Sequence, residues 1–239
     1  PAEASTTSMR YRVDTKNQSY TAAVSHLLDS SDSAHTVTAN GSVNKSTTIA
    51  KFGTYSMFFN AGNNTHTDYL TIPDHADFDL LGGGNYTIDF WVNYNKAPNG
   101  TGNENTDTYI MQYQNGSNRW QIDHERSTGL RFKVNNGGSW VINITGGEIT
   151  ATGWNHIAVV RNGNVYTLYK NGTSVGTATY STAKTFSGNI YIGEYGGGEY
   201  AFDGYMDELR ISKGIARWTS NFTPPTSAHT TDSYTKLLM

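Results

Sequence analysis

Apolar residues recur at every second position along most of this sequence, and that period commits the chain to β-structure. Tyr86, Ile88, Phe90, Val92 and Tyr94 line one face of a strand, with Thr87, Asp89, Trp91 and Asn93 on the other. Leu130, Phe132 and Val134 alternate with Arg131 and Lys133, and Trp140, Ile142 and Ile144 continue the apolar face. Residues 154–161, 165–170, 190–192 and 205–211 repeat the pattern, while helical spacing is nearly absent. Asn162-Gly163 and Asn171-Gly172 each close an alternating run. Both residues of a type I′ turn need positive φ, which Asn and Gly adopt at little cost. Residues 154–176 are therefore expected to form a three-stranded antiparallel meander. Loops rich in Gly, Asn and Thr separate the strands, and Pro224-Pro225 ends the last regular element, since proline cannot join a central ladder. Many short strands with turn signals between them predict one sandwich or barrel, a size that 239 residues suit.

Composition narrows the partners. Only 15% of residues are charged and the net charge is −3, so the basic patch that nucleic acid requires is missing. No apolar run approaches the ~20 residues of a membrane helix. Residues 1–10 show no basic-then-apolar leader. With no cysteine, disulfides and thiolate metal sites are excluded. Aromatics make up 13%, which points to a core of few, large side chains under a surface of Asn, Thr, Ser and Gly.

The segments Lys51–Asn60, Tyr69–Asp74, Tyr86–Val92, Trp154–Arg161, Leu168–Gly172, Ile190–Gly193 and Phe202–Ile211, in that order, resemble laminin-G-like modules of the concanavalin A-like group. The resemblance covers residues 8–225. It implies an all-β jelly-roll sandwich of two antiparallel sheets, with residues 1–7 as an N-terminal arm and 226–239 as a C-terminal tail. The closing stretch Asp207–Thr226 resembles modules of bacteriophage structural proteins and some bacterial surface proteins. That implies a non-catalytic structural or adhesion protein of a virion, a capsid decoration or tail-associated protein. Its partners would be other virion subunits or cell-surface glycans, and its location a virion surface or the cell exterior. The alternative is a secreted carbohydrate-binding module attached to a polysaccharide-degrading enzyme. Pro1–Ser8 and Thr226–Ser233 have no apolar pattern, so any order there must come from the sandwich edge or a neighbouring subunit.

Glycoside hydrolysis needs two carboxylates flanking the scissile bond. Asp123 and Glu125 share a strand face, but the third acid of the Glu-x-Asp-x-Glu glucanase pattern is absent at Gln121 and Ser127, and Arg119 stands on the same face. A hydrolase is not expected. None of the seven histidines pairs at His-x-His or His-x-x-x-His spacing, so no histidine metal site is expected, and His124 and His156 read as hydrogen-bonded core residues. Sugar binding needs aromatic faces beside polar groups. Tyr195 and Tyr200, in the loop from Glu194 to Tyr200, and Trp120, at the end of the run from Tyr113, have that character.

Period 2 places Asp207 on the apolar face of Tyr205, Leu209 and Ile211. A carboxylate facing inward is costly unless hydrogen-bonded, paired or bound to metal. The resemblance implies a structural calcium on this aspartate, with the Gly53 carbonyl assisting and Asp14 or Asp29 as a second acid. The other reading of Asp207 is an acceptor of backbone N–H groups or a partner of a nearby Lys or Arg.

Overall fold

The alternating runs pair into two antiparallel sheets. A computed structural model describes residues 27–61, 67–95, 106–149, 153–196 and 198–239. The arm 1–7 and Asp14 lie outside the described residues. In chain order the first strands are β1 (Thr38–Asn40), β2 (Asn44–Ser46), β3 (Ser56–Phe59) and β4 (Tyr69–Ile72), followed by a 3-10 turn at Ala76–Phe78. Next come β5 (Tyr86–Tyr94), β6 (Thr106–Asn115), β7 (Asn118–Glu125), β8 (Gly129–Asn136) and β9 (Ser139–Gly146). The remainder are β10 (Asn155–Asn162), β11 (Val165–Lys170), β12 (Thr173–Thr179), β13 (Asn189–Ile192), β14 (Gly204–Lys213) and β15 (Thr235–Leu238). The seven-stranded sheet runs β1-β4-β13-β6-β7-β8-β9 and the other β12-β11-β10-β5-β14-β3-β2, with β15 beside the second half of β14. Among the described residues no helix is long and apolar enough to cross a membrane.

The meander forms as β10, β11 and β12. Asn171 and Gly172 both take positive φ, 49° and 77°, in its second turn. The first turn sits one residue later than expected: Asn162 still pairs with Val165, and Gly163 alone carries the positive φ, 61°.

Between the sheets, the inward side chains of β5, from Tyr86 to Tyr94, meet Ile110, Ile122, Leu130, Phe132 and Ile142 in one core. The opposite face of β5 is also buried, which alternation alone did not predict: Thr87 and Asp89 are fully inaccessible. A strap from Gly214 to Pro225 covers it. Trp218 and Phe222 stack at 4.0 Å and 6°, and with Ala216 they close over Ala158, Val160 and Tyr169 as a second, smaller core. The strap is tied down by Gly214 N–H to Asn85 O, Arg217 N–H to Thr87 Oγ1 and Phe222 N–H to Gly172 O.

The segment expected as a tail is part of the sandwich. β15 pairs with Arg210, Ile211 and Ser212, and His229 donates its N–H to Glu208 Oε2. The sandwich edge supplies the order that the polar stretch lacks.

Candidate functional site

With the strap occupying the outer face of the eight-stranded sheet, the outer face of the seven-stranded sheet is the open one. An aromatic ladder crosses it strand by strand. Tyr69 on β4 lies 6.1 Å from Tyr191 on β13, Tyr191 lies 6.4 Å from Tyr113 on β6, and Tyr113 lies 5.6 Å from Tyr195. Tyr195 meets Tyr200 edge-on at 5.6 Å. Arg119 on β7 carries the ladder onward, its guanidinium 5.3 Å from the Tyr195 ring and 4.7 Å from the Trp140 ring on β9, and Lys133 caps Trp140 at 3.9 Å. Period 2 on adjacent strands produces this row, because directly paired residues present their side chains to the same face.

The loop after β13 folds back onto the ladder. Gly198 N–H bonds to Tyr195 O, Gly196 N–H meets Met111 Sδ at 3.2 Å, and Tyr200 is held at a φ of 54° while its carbonyl accepts Thr108 N–H. A non-glycine residue in the left-handed region is strained and persists only where its surroundings fix it. Two clefts open on this face. One, of about 300 Å3, is bordered by Arg119, Arg131, Lys133, Trp140, Tyr195 and Tyr200. The other, of about 470 Å3, is bordered by Asn40, Gly41, Tyr69, Tyr191 and Glu194. Burial pushes the Glu194 carboxyl up to about 7, against one bond from Gly198 N–H to Oε1. Its Oε2 is buried and has no hydrogen-bond partner among the described residues.

Tyr195 and Tyr200, singled out in the sequence for their loop, lie on this face, and Tyr113, from a run considered apart from them, stands beside Tyr195. Trp120 is a correction. It points into the core, 1% exposed, with its indole N–H bonded to Gln112 Oε1 at 3.0 Å, so no ligand can stack on it. Trp140, which alternates with Ile142 and Ile144 in the sequence, does not share their face: it is 40% exposed, because the β8–β9 register shifts between Val134 and Asn135 and turns it outward.

The two strand-face acids are neutralised. Arg131 pairs with Asp123 through Nε and with Glu125 at 2.6 Å, and Gln121 donates to Asp123 as well. Burial would raise the Glu125 carboxyl, but bonds from Thr128 and the Arg131 charge bring it below its ordinary value. A general acid for glycoside cleavage needs the opposite shift.

Asp207 is not on the core face. Period 2 breaks at a bulge between Asp207 and Arg210, where Glu208 takes a φ of 55°. Met206 therefore faces inward opposite Val92, and Asp207 faces outward opposite Trp91. Its carboxylate accepts Lys51 N–H at 2.7 Å, Phe52 N–H at 3.2 Å and Glu208 N–H at 2.9 Å. The loop carrying Gly53 is thereby drawn to Asp207. Burial lifts the Asp207 carboxyl to about 6 despite those bonds, with the Glu208 charge adding to the rise. Asp29 is committed elsewhere, to the N–H groups of Ser31, His35 and Leu238 and the Ser31 hydroxyl.

Two antiparallel sheets in this order match known proteins at both the sequence and structure levels. A laminin-G-like family model, described as the concanavalin A-like lectin/glucanases superfamily, matches residues 60–217. The chain belongs to this superfamily. No curated sequence matches it. Among solved structures, this member of the superfamily is similar to domain 4 of AbnA, a GH43 extracellular arabinanase from Geobacillus stearothermophilus in complex with arabinotriose. The TM-score is 0.57 at 17% identity, over 77% of this chain and 84% of that one. It is also similar to botulinum neurotoxin type C, described as depending on two ganglioside molecules for cell entry, with TM-score 0.60, 17% identity, and 80% and 46% coverage. The binding domain of botulinum neurotoxin DC in complex with SialylT gives TM-score 0.60 at 16% identity, with 80% and 45% coverage. This chain thus spans under half of those toxin chains. At these identities the superfamily likeness is one of fold.

Proposed function

We propose that this chain is a non-catalytic carbohydrate-binding adhesion domain acting outside the cell, with the glycan lying across the outer face of the seven-stranded sheet. The row Tyr69–Tyr191–Tyr113–Tyr195, continued by Arg119 to Trp140, carries this reading. Each pyranose or furanose ring offers an apolar C–H face to an aromatic side chain and a rim of hydroxyls to polar groups. A row of half-exposed rings with guanidinium, ammonium and carboxyl groups between them suits successive sugars. The arabinotriose and SialylT complexes of the structural neighbours support the same class of ligand.

Titration of the domain against a glycan array and soluble polysaccharides is expected to reveal saturable binding. Tyr195→Ala or Trp140→Ala should weaken it roughly ten-fold, as loss of about 1.4 kcal/mol of stacking does. Val165→Ala, at a 43% exposed position on β11, should leave it unchanged. Failure to bind any glycan, or equal affinity in all variants, rejects the proposal.

The body that displays the domain is a further part of the reading. The closing segment Asp207–Thr226 supports a virion, as a decoration or tail-associated protein, and the arabinanase likeness supports a module tethered to a polysaccharide-degrading enzyme. Neighbouring genes for capsid and tail proteins, or for glycosidases, separate the two.

We also propose a structural calcium at Asp207, where a desolvated carboxylate adjoins Glu208 and the loop of Gly53. Both carboxylate oxygens keep acceptor capacity beyond three N–H bonds. Excess EGTA is expected to lower the melting temperature by several degrees in the wild type and not in Asp207→Asn. A wild type indifferent to EGTA and to added calcium leaves the N–H bonds as the whole of this carboxylate's support.

A further inference from the structure

We propose that His35, His75 and Asp77 bind a divalent transition-metal ion of the zinc class. These residues belong to no part of the ring ladder. They come from the segment before β1 and from the start of the 3-10 turn after β4, forty residues apart in sequence, which is why histidine spacing did not reveal them.

The ligand atoms already converge. His35 Nε2 lies 3.2 Å and His75 Nδ1 lies 3.3 Å from the same oxygen, Asp77 Oδ2. No two of the three atoms are more than 4.8 Å apart. In a tetrahedral zinc site with bonds of about 2.0–2.1 Å, ligand atoms stand about 3.3 Å from one another. The two separations to Asp77 fit that value, and the separation between the imidazoles closes by rotation of the His75 ring, whose side chain is 54% exposed.

The other two ligands are held in place. The His35 side chain is 9% exposed, its ring 4.6 Å from Phe78 and 4.8 Å from His75. Asp77 Oδ2 accepts the Ser33 hydroxyl at 3.0 Å, the kind of outer hydrogen bond that orients a ligating carboxylate. Two existing bonds compete. His35 Nε2 and Asp77 Oδ2 are hydrogen-bonded at 3.2 Å, and the metal would stand between them. His75 Nδ1 accepts Asp77 N–H at 3.1 Å as the cap of the 3-10 turn, and the metal would take that lone pair. The released amide lies at an exposed turn, where water satisfies it.

Ligand chemistry selects the ion. Two imidazoles and one carboxylate suit zinc, nickel or copper, whereas calcium and magnesium prefer oxygen alone. The chain has no cysteine to compete for the metal. Three protein ligands leave one position for water, and the bound ion would join the segment before β1 to the turn after β4.

Calorimetric titration of tag-free, full-length chain with zinc, and visible absorption with cobalt as its spectroscopic substitute, tests the site. The expected result is one ion per chain, a tetrahedral cobalt spectrum and a higher melting temperature with zinc. All three should vanish in His35→Gln and Asp77→Asn. If Asp77→Asn does not fold, His75→Ala at its exposed position decides. A wild type that binds no zinc, or variants that bind it as the wild type does, overturns the proposal.

Discussion

Alanine at Asp89 is expected to destabilise the domain by about 3–5 kcal/mol, the cost of removing one partner from a buried ion pair. Asp89 is fully inaccessible on the strap side of β5. Arg210 grips it with two bonds of 3.0 Å, and His156 and His229 approach Oδ2 at 3.4 and 2.9 Å. Removing the carboxylate leaves a guanidinium buried without its counter-charge. Burial alone would raise the Asp89 carboxyl, but bonds from the two histidines and the charge of Arg210 outweigh it and hold the group well below the ordinary range. A depressed carboxyl contributes stability above its unfolded value, about 3.9, and loses it as the pH falls toward the folded one. Urea melts at a series of pH values should therefore show wild-type stability dropping below about pH 4 more steeply than that of Asp89→Asn. The double variant Asp89→Ala, Arg210→Met should recover most of the loss, because an apolar replacement leaves no lone charge. A single Asp89→Ala within about 0.5 kcal/mol of wild type, the scatter of ordinary surface changes, would show that the network does not hold the tail.

Gly172→Ala is expected to cost about 2–4 kcal/mol, far more than the same change at Gly163. Both glycines lie in hairpin turns at positive φ, 77° and 61°. Left-handed backbone costs an alanine about 1–2 kcal/mol at either position. The surroundings differ. A Cβ on Gly163 meets nothing within 4 Å, whereas one on Gly172 would lie 1.8 Å from Phe222 O and 3.2 Å from Pro224 Cδ. The strap must lift to admit it. That breaks the bond from Phe222 N–H to Gly172 O and uncovers the stacked Trp218–Phe222 pair. Chemical denaturation with tryptophan fluorescence reads both effects, a lower midpoint and a red-shifted native spectrum for Gly172→Ala alone. Equal losses at the two glycines would mean that the strap does not rest on this turn.

Strand positions and the meander were legible in the sequence because period 2 is a local signal. What that signal could not show is which residues interrupt it. One bulged residue at Glu208 reverses the faces of everything N-terminal to it on β14, so Asp207 exchanged places with Met206. A register shift on β9 did the same for Trp140. The burial of Asp89 depends on a strap more than a hundred residues away, and no pattern within β5 encodes it. For the candidate site, the loop from Glu194 to Tyr200 was visible from its composition, but the ladder was not. Tyr69, Tyr113 and Tyr191 become neighbours only once β13 is inserted between β4 and β6. The same is true of His35, His75 and Asp77, which the fold assembles from two separate segments.

Both ends of the described chain meet at one edge. Ser30 N–H bonds to Leu238 O at 2.7 Å, Leu238 N–H to Asp29 Oδ1 at 3.0 Å, and β15 runs antiparallel to β14. Tension applied between Leu27 and Met239 meets these bonds one after another, as a zipper does, and not all together in shear. What it frees first is β15, then the Arg217–Asp232 pair, then His229 from Asp89. The ring ladder stands on the other sheet, so a pull on this seam acts first on β15 and its partners and not on the face proposed to hold the glycan.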